Sequence, residues 1–140
     1  MAGVFQGSAR VIAMLSAQRE THVANLCLQE RVEQIRGTSY PQITDPTYVQ
    51  GTLMTTGTTS AAVLSAPTET LTLSAYPVAA GGNLQVRRQG GSATLVTTNA
   101  TLGTAAAVRA DFSLDWTSKQ GSRSRSRQII FFIAKGGINN

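Results

Sequence analysis

The sequence predicts a mainly β protein, an antiparallel sandwich or barrel, preceded by an N-terminal arm that is helical or extended. From Thr38 onward, β-branched residues dominate and Pro and Gly recur between short runs, as in strands joined by turns. Between Ser8 and Arg36 there is no Gly or Pro, and three of the four Glu residues lie there. We therefore divide the chain into an arm, residues 1–37, and an antiparallel β domain, residues 38–140.

The pattern of the arm favours a helix but leaves a strand open. Leu28, Val32 and Ile35 recur at the spacing of one helix face. Arg36–Gly37 suits the last turn and its cap, because a cation favours the carbonyl end and glycine accepts a positive φ. Against a helix, Leu26 and Leu28 alternate with polar neighbours, which is the period of a strand.

Charged residues of the arm are expected on its surface. Glu30 and Glu33 stand close enough along a helix to pair with Arg31 and Arg36. We therefore predict that these four side chains form solvated ion pairs.

The β domain divides into short segments bounded by Gly and Pro. Gly90–Gly91 marks the clearest tight hairpin, since adjacent glycines supply the positive φ that such turns need. The first five predicted strands run over about Tyr48 to Met54, Ala61 to Ser65, Glu69 to Tyr76, Leu84 to Arg88 and Ala93 to Thr98.

Two further strands are predicted near the C-terminus. From Val108 to Trp116 apolar residues alternate with polar ones, which is the pattern of a half-buried strand. Its partner, from Gln128 to Lys135, contains five consecutive apolar residues. A strand that is apolar on both faces needs cover on both, from the arm or from a neighbouring subunit. We predict a homo-oligomer whose interface includes Ile130, Phe131 and Phe132.

A basic hairpin loop is predicted at residues 117–127, between these two strands. It holds Lys119, Arg123, Arg125 and Arg127, a large share of the cations of a chain whose formal net charge is +5. Arginine forks bind phosphate groups, so the loop could contact a nucleic acid backbone. It could equally meet an acidic patch on a protein neighbour.

No catalytic set is recognisable. His22 is the sole histidine and Cys27 the sole cysteine, and five residues of helix place the two side chains on different faces. Asp111 and Asp115 are about 13 Å apart along one strand, too far to share a proton or an ion. The glycine pairs, which lack the spacing of phosphate-binding loops, are Gly81–Gly82, Gly90–Gly91 and Gly136–Gly137. We expect no enzyme activity, no cofactor, no metal and no small-molecule substrate.

Localisation is predicted from what the sequence lacks. No apolar run approaches the roughly 20 residues of a membrane-spanning helix, and Met1–Gly7 has neither the basic region nor the long apolar stretch of a secretory signal. We expect a protein that is made in the host cytoplasm and has no contact with membranes.

These features together favour an assembly protein. Only 14% of the residues are charged, against about 25% in an average domain. Small viral structural proteins combine surfaces of short, uncharged side chains with arms that exchange between subunits. We predict a bacteriophage virion component, a capsid decoration, connector or coat subunit, which forms a homo-oligomer and contacts other virion proteins. The alternative is a nucleic-acid-binding protein or an RNA-packaging coat that uses the arginine-serine loop.

Overall fold

One antiparallel sheet forms the body of the protein, and a long helix covers one of its faces. The structure is a computed structural model that describes residues 2–78, 81–99, 101–119 and 122–135. The helix, α1, spans Ala2–Arg36. The strands are β1 (Ser65–Tyr76), β2 (Asn83–Gln89), β3 (Ser92–Thr97), β4 (Ala107–Thr117) and β5 (Ser124–Ala134).

The strands lie in the order β3-β2-β1-β4-β5, and every neighbouring pair is antiparallel. The predicted hairpin at Gly90–Gly91 is confirmed, because it joins β2 to β3 and both glycines have positive φ. The fold is therefore mainly β with an N-terminal helix, as predicted. The predicted sandwich or barrel is not confirmed, since the sheet is open and its second layer is helical.

The core lies between α1 and the inner face of the sheet. In α1, Leu28 is buried whereas Leu26 is exposed, which fits opposite sides of a helix and excludes the strand alternative. Phe112 at the centre of β4 is fully buried. The helix contributes Ala24, Cys27, Leu28, Val32 and Ile35 to this core, and the sheet contributes Leu71, Leu73, Leu84, Val86, Val108, Ala110, Phe112, Leu114, Trp116 and Phe131.

Two of the predicted strands are wrong. The segment from Tyr48 to Met54 contains a π-helical turn over Val49–Leu53, and Ala61 to Ser65 begins in a 3₁₀ turn, Ser60–Val63. In the first, the buried residues Val49 and Leu53 are four apart, which is helical spacing. The short helices α2 (Tyr40–Ile43) and α3 (Pro46–Tyr48) precede these turns, and all four elements lie between α1 and β1 in the chain.

The other face of the sheet, here called the open face, carries no covering element among the described residues. Its side chains are mostly short and polar. From the strand registers, they include Thr68, Thr70, Thr72 and Ser74 of β1, Gln85 and Arg87 of β2, Arg109, Asp111, Ser113 and Asp115 of β4, and Ser124, Ser126, Gln128, Ile130 and Phe132 of β5.

Candidate assembly surfaces

The N-terminal half of α1 projects past the end of the sheet. Glu20 lies beside Trp116 and Lys119, at the C-terminal end of β4, and the helix runs from there back along the sheet towards Arg36. Residues 2–19 therefore extend about 27 Å beyond this contact, at 1.5 Å per residue. Met14 and Leu15 in this stretch are 59% and 57% exposed. We call residues 2–19 the projecting helix.

The apolar residues of the projecting helix are spread around its circumference, so its sequence has no single polar face. Its two charged residues are Arg10 and Arg19, while Val, Ile, Leu, Met, Phe and Ala make up most of the remainder. Apolar side chains on several sides of a helix favour its enclosure by other apolar groups. The described part of the molecule places no other element against it that would bury Met14 or Leu15. The described part of the fold therefore leaves Met14 and Leu15 uncovered.

Glu20 anchors α1 where the projecting helix begins. Its carboxylate accepts hydrogen bonds from the indole N–H of Trp116 at 3.4 Å and from the backbone N–H of Lys119 at 3.0 Å. Burial alone would raise the pKa of Glu20, but these two bonds, a third from Ser118 and the charge of Arg125 hold that pKa below its ordinary value. Glu20 is therefore ionised in the fold and fixes the base of the projecting helix.

A buried ion pair links α1 to the sheet and corrects the prediction for Arg31. Arg31 is fully buried, and its Nη2 lies 2.9 Å from Oε1 of Glu69 on β1. The same guanidinium donates to the backbone carbonyls of Leu53 and Thr56, so it does not form a surface pair with Glu30 or Glu33. Glu30 instead accepts from the backbone N–H of Thr59.

The thiol of Cys27 lies against the same network. Its Sγ is 2.7 Å from the hydroxyl oxygen of Thr58, and burial raises the pKa of the thiol to about 11. The thiol is therefore protonated at neutral pH and is a poor nucleophile. His22, exposed on α1, does not share its environment. The structure thus keeps apart the two residues that a cysteine-histidine mechanism would need together.

The predicted basic loop is shorter than residues 117–127. β4 ends at Thr117 and β5 begins at Ser124, so residues 118–123 connect them, and 120–121 of these lie outside the described residues. Arg125 and Arg127 belong to β5, and Lys119 and Arg123 lie in the connection. All four cations are exposed. No salt bridge of theirs is found among the described residues.

The three predicted interface residues divide between the faces of β5. Phe131 points into the core and is buried, which makes it unavailable on the surface of the single chain. Ile130 and Phe132 point to the open face, where Phe132 is 56% exposed. The ring of Phe132 packs against that of Tyr76, with 4.7 Å between the ring centroids. Only the two outward residues remain candidates for a contact.

The remaining predicted candidates lie at separate places. Both carboxylate oxygens of Asp111 accept hydrogen bonds from the side-chain amide of Gln128. Asp115 lies four residues later on the same face of β4 and is exposed. Gly81 and Gly82 both have positive φ, and the pair Gly136–Gly137 lies outside the described residues. Within the described ranges no group of acidic, histidine or cysteine side chains could hold a metal ion. No described helix is both long and apolar enough to cross a membrane.

Comparison with known proteins gives no assignment, because no family model, no curated protein and no solved structure matches this chain.

The buried ion pair of Arg31 and Glu69 was not predicted, although the sequence carried a signal for each residue. Glu69 shares the inward side of β1 with Leu71 and Leu73, so alternation alone places its carboxylate in the core. Arg31 lies four residues from Cys27 and from Ile35, on the apolar face of α1. A charged residue on each of two facing apolar stripes is the pattern of a buried ion pair.

Proposed function

We propose that this protein is a non-enzymatic structural subunit that assembles into a symmetric homo-oligomer through its projecting helix. The observation that carries the proposal is the exposure of Met14 and Leu15 on a helix whose apolar residues are spread over all of its sides. Projecting helices from several copies can enclose one another and remove this surface from water.

The energetics favour such an enclosure. Fully burying an exposed Met or Leu side chain contributes about 1.5 to 3 kcal/mol, and Met14 and Leu15, which are 59% and 57% exposed, would each gain a part of this on enclosure. The helix already exists in the single chain and is anchored by Glu20 at its base, so assembly does not require a new fold. Self-complementary contacts close into dimers, whereas head-to-tail contacts between neighbouring copies close into rings or continue as helical filaments.

The setting predicted from the sequence, a bacteriophage capsid decoration, connector or coat subunit, stays a prediction. The proposal of an oligomer that contacts other virion proteins is supported by two exposed features of the body. Ile130 and Phe132 form an apolar corner of the open face with Tyr76. Packing of the open face on that of another copy would complete the predicted sandwich between subunits.

Nucleic-acid binding is a second candidate function, and one observation favours it. Arg125 and Arg127 project from the same side of one strand, exposed to solvent and close to Lys119 and Arg123 in the chain. A nucleic acid backbone held there would be bound without base recognition, because no aromatic residue interleaves with these arginines.

The deciding experiment combines native mass spectrometry with substitution of the projecting helix. We expect the wild-type chain to be oligomeric at micromolar concentration and the double variant Met14→Gln/Leu15→Gln to shift towards the mass of one subunit. Val63→Gln is the matched control, because Val63 is 58% exposed but lies on the body. Circular dichroism checks that all three chains keep their fold.

The same spectra test both candidate functions. A wild-type chain that stays monomeric at these concentrations would rule out assembly. Nucleic acid retained by the purified chain, and lost in a variant with Arg125 and Arg127 replaced by serine, would favour the second function over the first.

A further inference from the structure

The edge strand β5 offers a long hydrogen-bonding edge. It is the outermost strand of the sheet, it contains no proline, and its pairing with β4 runs from Ala107 with Ala134 to Thr117 with Ser124 without a register shift. Such a strand presents a row of N–H and C=O groups to its free side. The other edge strand, β3, is shorter, and its register with β2 shifts once. Of the two edges, β5 is the one suited to accept a further strand.

On the face of the sheet that α1 covers, the first half of β5 carries cations and the second half carries apolar residues. Arg125 and Arg127 lie opposite Trp116 and Leu114 of β4, so they project on the same side as α1. The next three positions on that side are Ile129, Phe131 and Ile133. Serines occupy the open-face positions between the arginines. A strand paired with β5 would therefore face two cations along one half and three apolar residues along the other.

We propose that the edge of β5 binds an extended acidic segment of a different protein, which pairs antiparallel and becomes a sixth strand of the sheet. Carboxylates at alternate positions of that segment would lie opposite Arg125 and Arg127. Apolar residues at the earlier alternate positions would lie opposite the half-buried Ile133 and Ile129 and, between them, at the register position of the buried Phe131, where they would extend the core at the sheet edge. Main-chain hydrogen bonds supply affinity, and the alternating side chains supply specificity. This inference goes beyond assembly through the projecting helix and does not depend on it.

The charges argue against a second copy as the occupant. β5 contains no acidic residue, so antiparallel pairing of two β5 strands places no carboxylate opposite Arg125 or Arg127 in any register, and pairing about Arg125 sets arginine against arginine. No segment of this chain has two carboxylates at alternate positions, because its acidic residues are never two apart. The complementary strand must therefore come from another protein.

The residues beyond the arginines favour a protein strand over a nucleic acid. A phosphate backbone carries charge along its whole length, whereas the helix side of β5 continues with Ile129, Phe131 and Ile133. These residues would meet phosphates without neutralising them. A strand that changes from apolar to acidic side chains matches both halves of β5.

The proposal is tested with a synthetic ten-residue peptide. It has valine at the first, third and fifth positions, glutamate at the seventh and ninth, and threonine elsewhere. We expect it to bind the full chain and to slow hydrogen exchange of the β5 amides. In Arg125→Ser/Arg127→Ser, binding should weaken about fivefold, because two cross-strand ion pairs are lost and each contributes a factor of roughly two. Arg87→Ser is the matched control, since Arg87 is exposed on β2 away from this edge.

Each comparison supports or overturns the proposal. A peptide of the same composition with adjacent glutamates should bind more weakly; equal binding would mean charge attraction without strand pairing. A ten-nucleotide oligothymidine that binds through the same arginines while the peptide does not would assign the edge to nucleic acid. Protection of the β5 edge before peptide is added would assign it to another copy. Repeating the titration on Met14→Gln/Leu15→Gln separates the outcome from that of the assembly proposal, because peptide binding should be unchanged.

Discussion

Arg31 is a fully buried cation, and its environment determines what its partner Glu69 contributes. The guanidinium donates to two backbone carbonyls of the segment before β1 and to the Gln34 side chain, and it lies 5.8 Å from the ring centroid of Phe112. These contacts hold the cation in place, but only Glu69 neutralises it at close range. Arg88 approaches the other carboxylate oxygen of Glu69 at 3.9 Å. The carboxylate therefore ties α1, β1 and β2 together.

Glu69→Gln should lower the free energy of unfolding by about 3 kcal/mol. The amide has nearly the same shape but leaves the charge of Arg31 buried without an anion, and breaking one side of a buried pair costs about 3 to 5 kcal/mol. Urea unfolding at neutral pH measures the change. Asp115→Asn, on the exposed side of β4, is the control and should change stability by less than about 0.5 kcal/mol. A loss below about 1 kcal/mol for Glu69→Gln would mean that the pair contributes little.

At the scale of elements, α1 is joined to the β4–β5 connection by Glu20. The carboxylate accepts from Trp116 in β4 and from Lys119 just after it, so one side chain fixes the helix axis relative to the far end of the sheet. Because the projecting helix starts here, this contact also sets the direction in which its apolar surface points. The anchor is ionic, and its strength therefore depends on pH.

We predict that Glu20→Gln lowers stability at neutral pH by about 1 kcal/mol and reduces the loss of stability in acid. Hydrogen bonds to a charged acceptor are stronger than those to a neutral one. Since the native pKa of Glu20 is lowered, its contribution is fully present above the ordinary value of 4.5 and is lost as the pH falls through the native pKa. Urea midpoints measured on both sides of that pH check the slope.

Glu33→Gln serves as the control for the anchor, because Glu33 is exposed on the same helix. Its substitution should leave the acid-dependent loss of stability unchanged. If Glu20→Gln and the wild type lose stability equally with falling pH, the ionised carboxylate of Glu20 does not stabilise the fold.

Elements with a strong local period could be predicted from the sequence. The alternation of β4 and the double glycine of the β2–β3 hairpin specify their structure within a few residues. The turns at Val49–Leu53 and Ser60–Val63 could not be predicted, because the compositions VQGTL and SAAV do not separate strand from helix over so short a stretch. Their helical conformation is instead set by tertiary burial of residues three or four apart, Val49 with Leu53 and Ala61 with Leu64.

The candidate surfaces were predicted in part. Exposure of the basic cluster follows from composition, but the membership of Arg125 and Arg127 in a strand depends on pairing with β4, which no local pattern specifies. The inward position of Phe131 follows from the same register. The projection of α1 depends on where the sheet ends relative to Glu20, a relation between residues about one hundred positions apart.

At the scale of the whole molecule, the projecting helix and the body are separable. The first described side chain of α1 that is buried is Glu20, and the core residues of the helix follow it. The sheet, its hydrophobic core and the ion pair of Arg31 all lie on the body side of that residue. Folding stability should therefore reside in residues 19–140, and self-association in residues 1–18.

Removal of residues 1–18 should accordingly leave a folded single subunit. We expect the truncated chain to unfold in urea with a free energy within about 1 kcal/mol of the full chain extrapolated to its monomer, because the described side chains of the removed part include the exposed Met14, Leu15 and Gln18 and none that is buried. Ile35→Ala in the same truncated chain should lose about 2 to 5 kcal/mol of unfolding free energy, which shows that the measurement detects a core defect.

Light scattering should report one subunit for the truncated chain and a larger particle for the full one. A truncated chain that kept the larger mass would place self-association on the body, and the open face with Ile130 and Phe132 would then be the surface to substitute next.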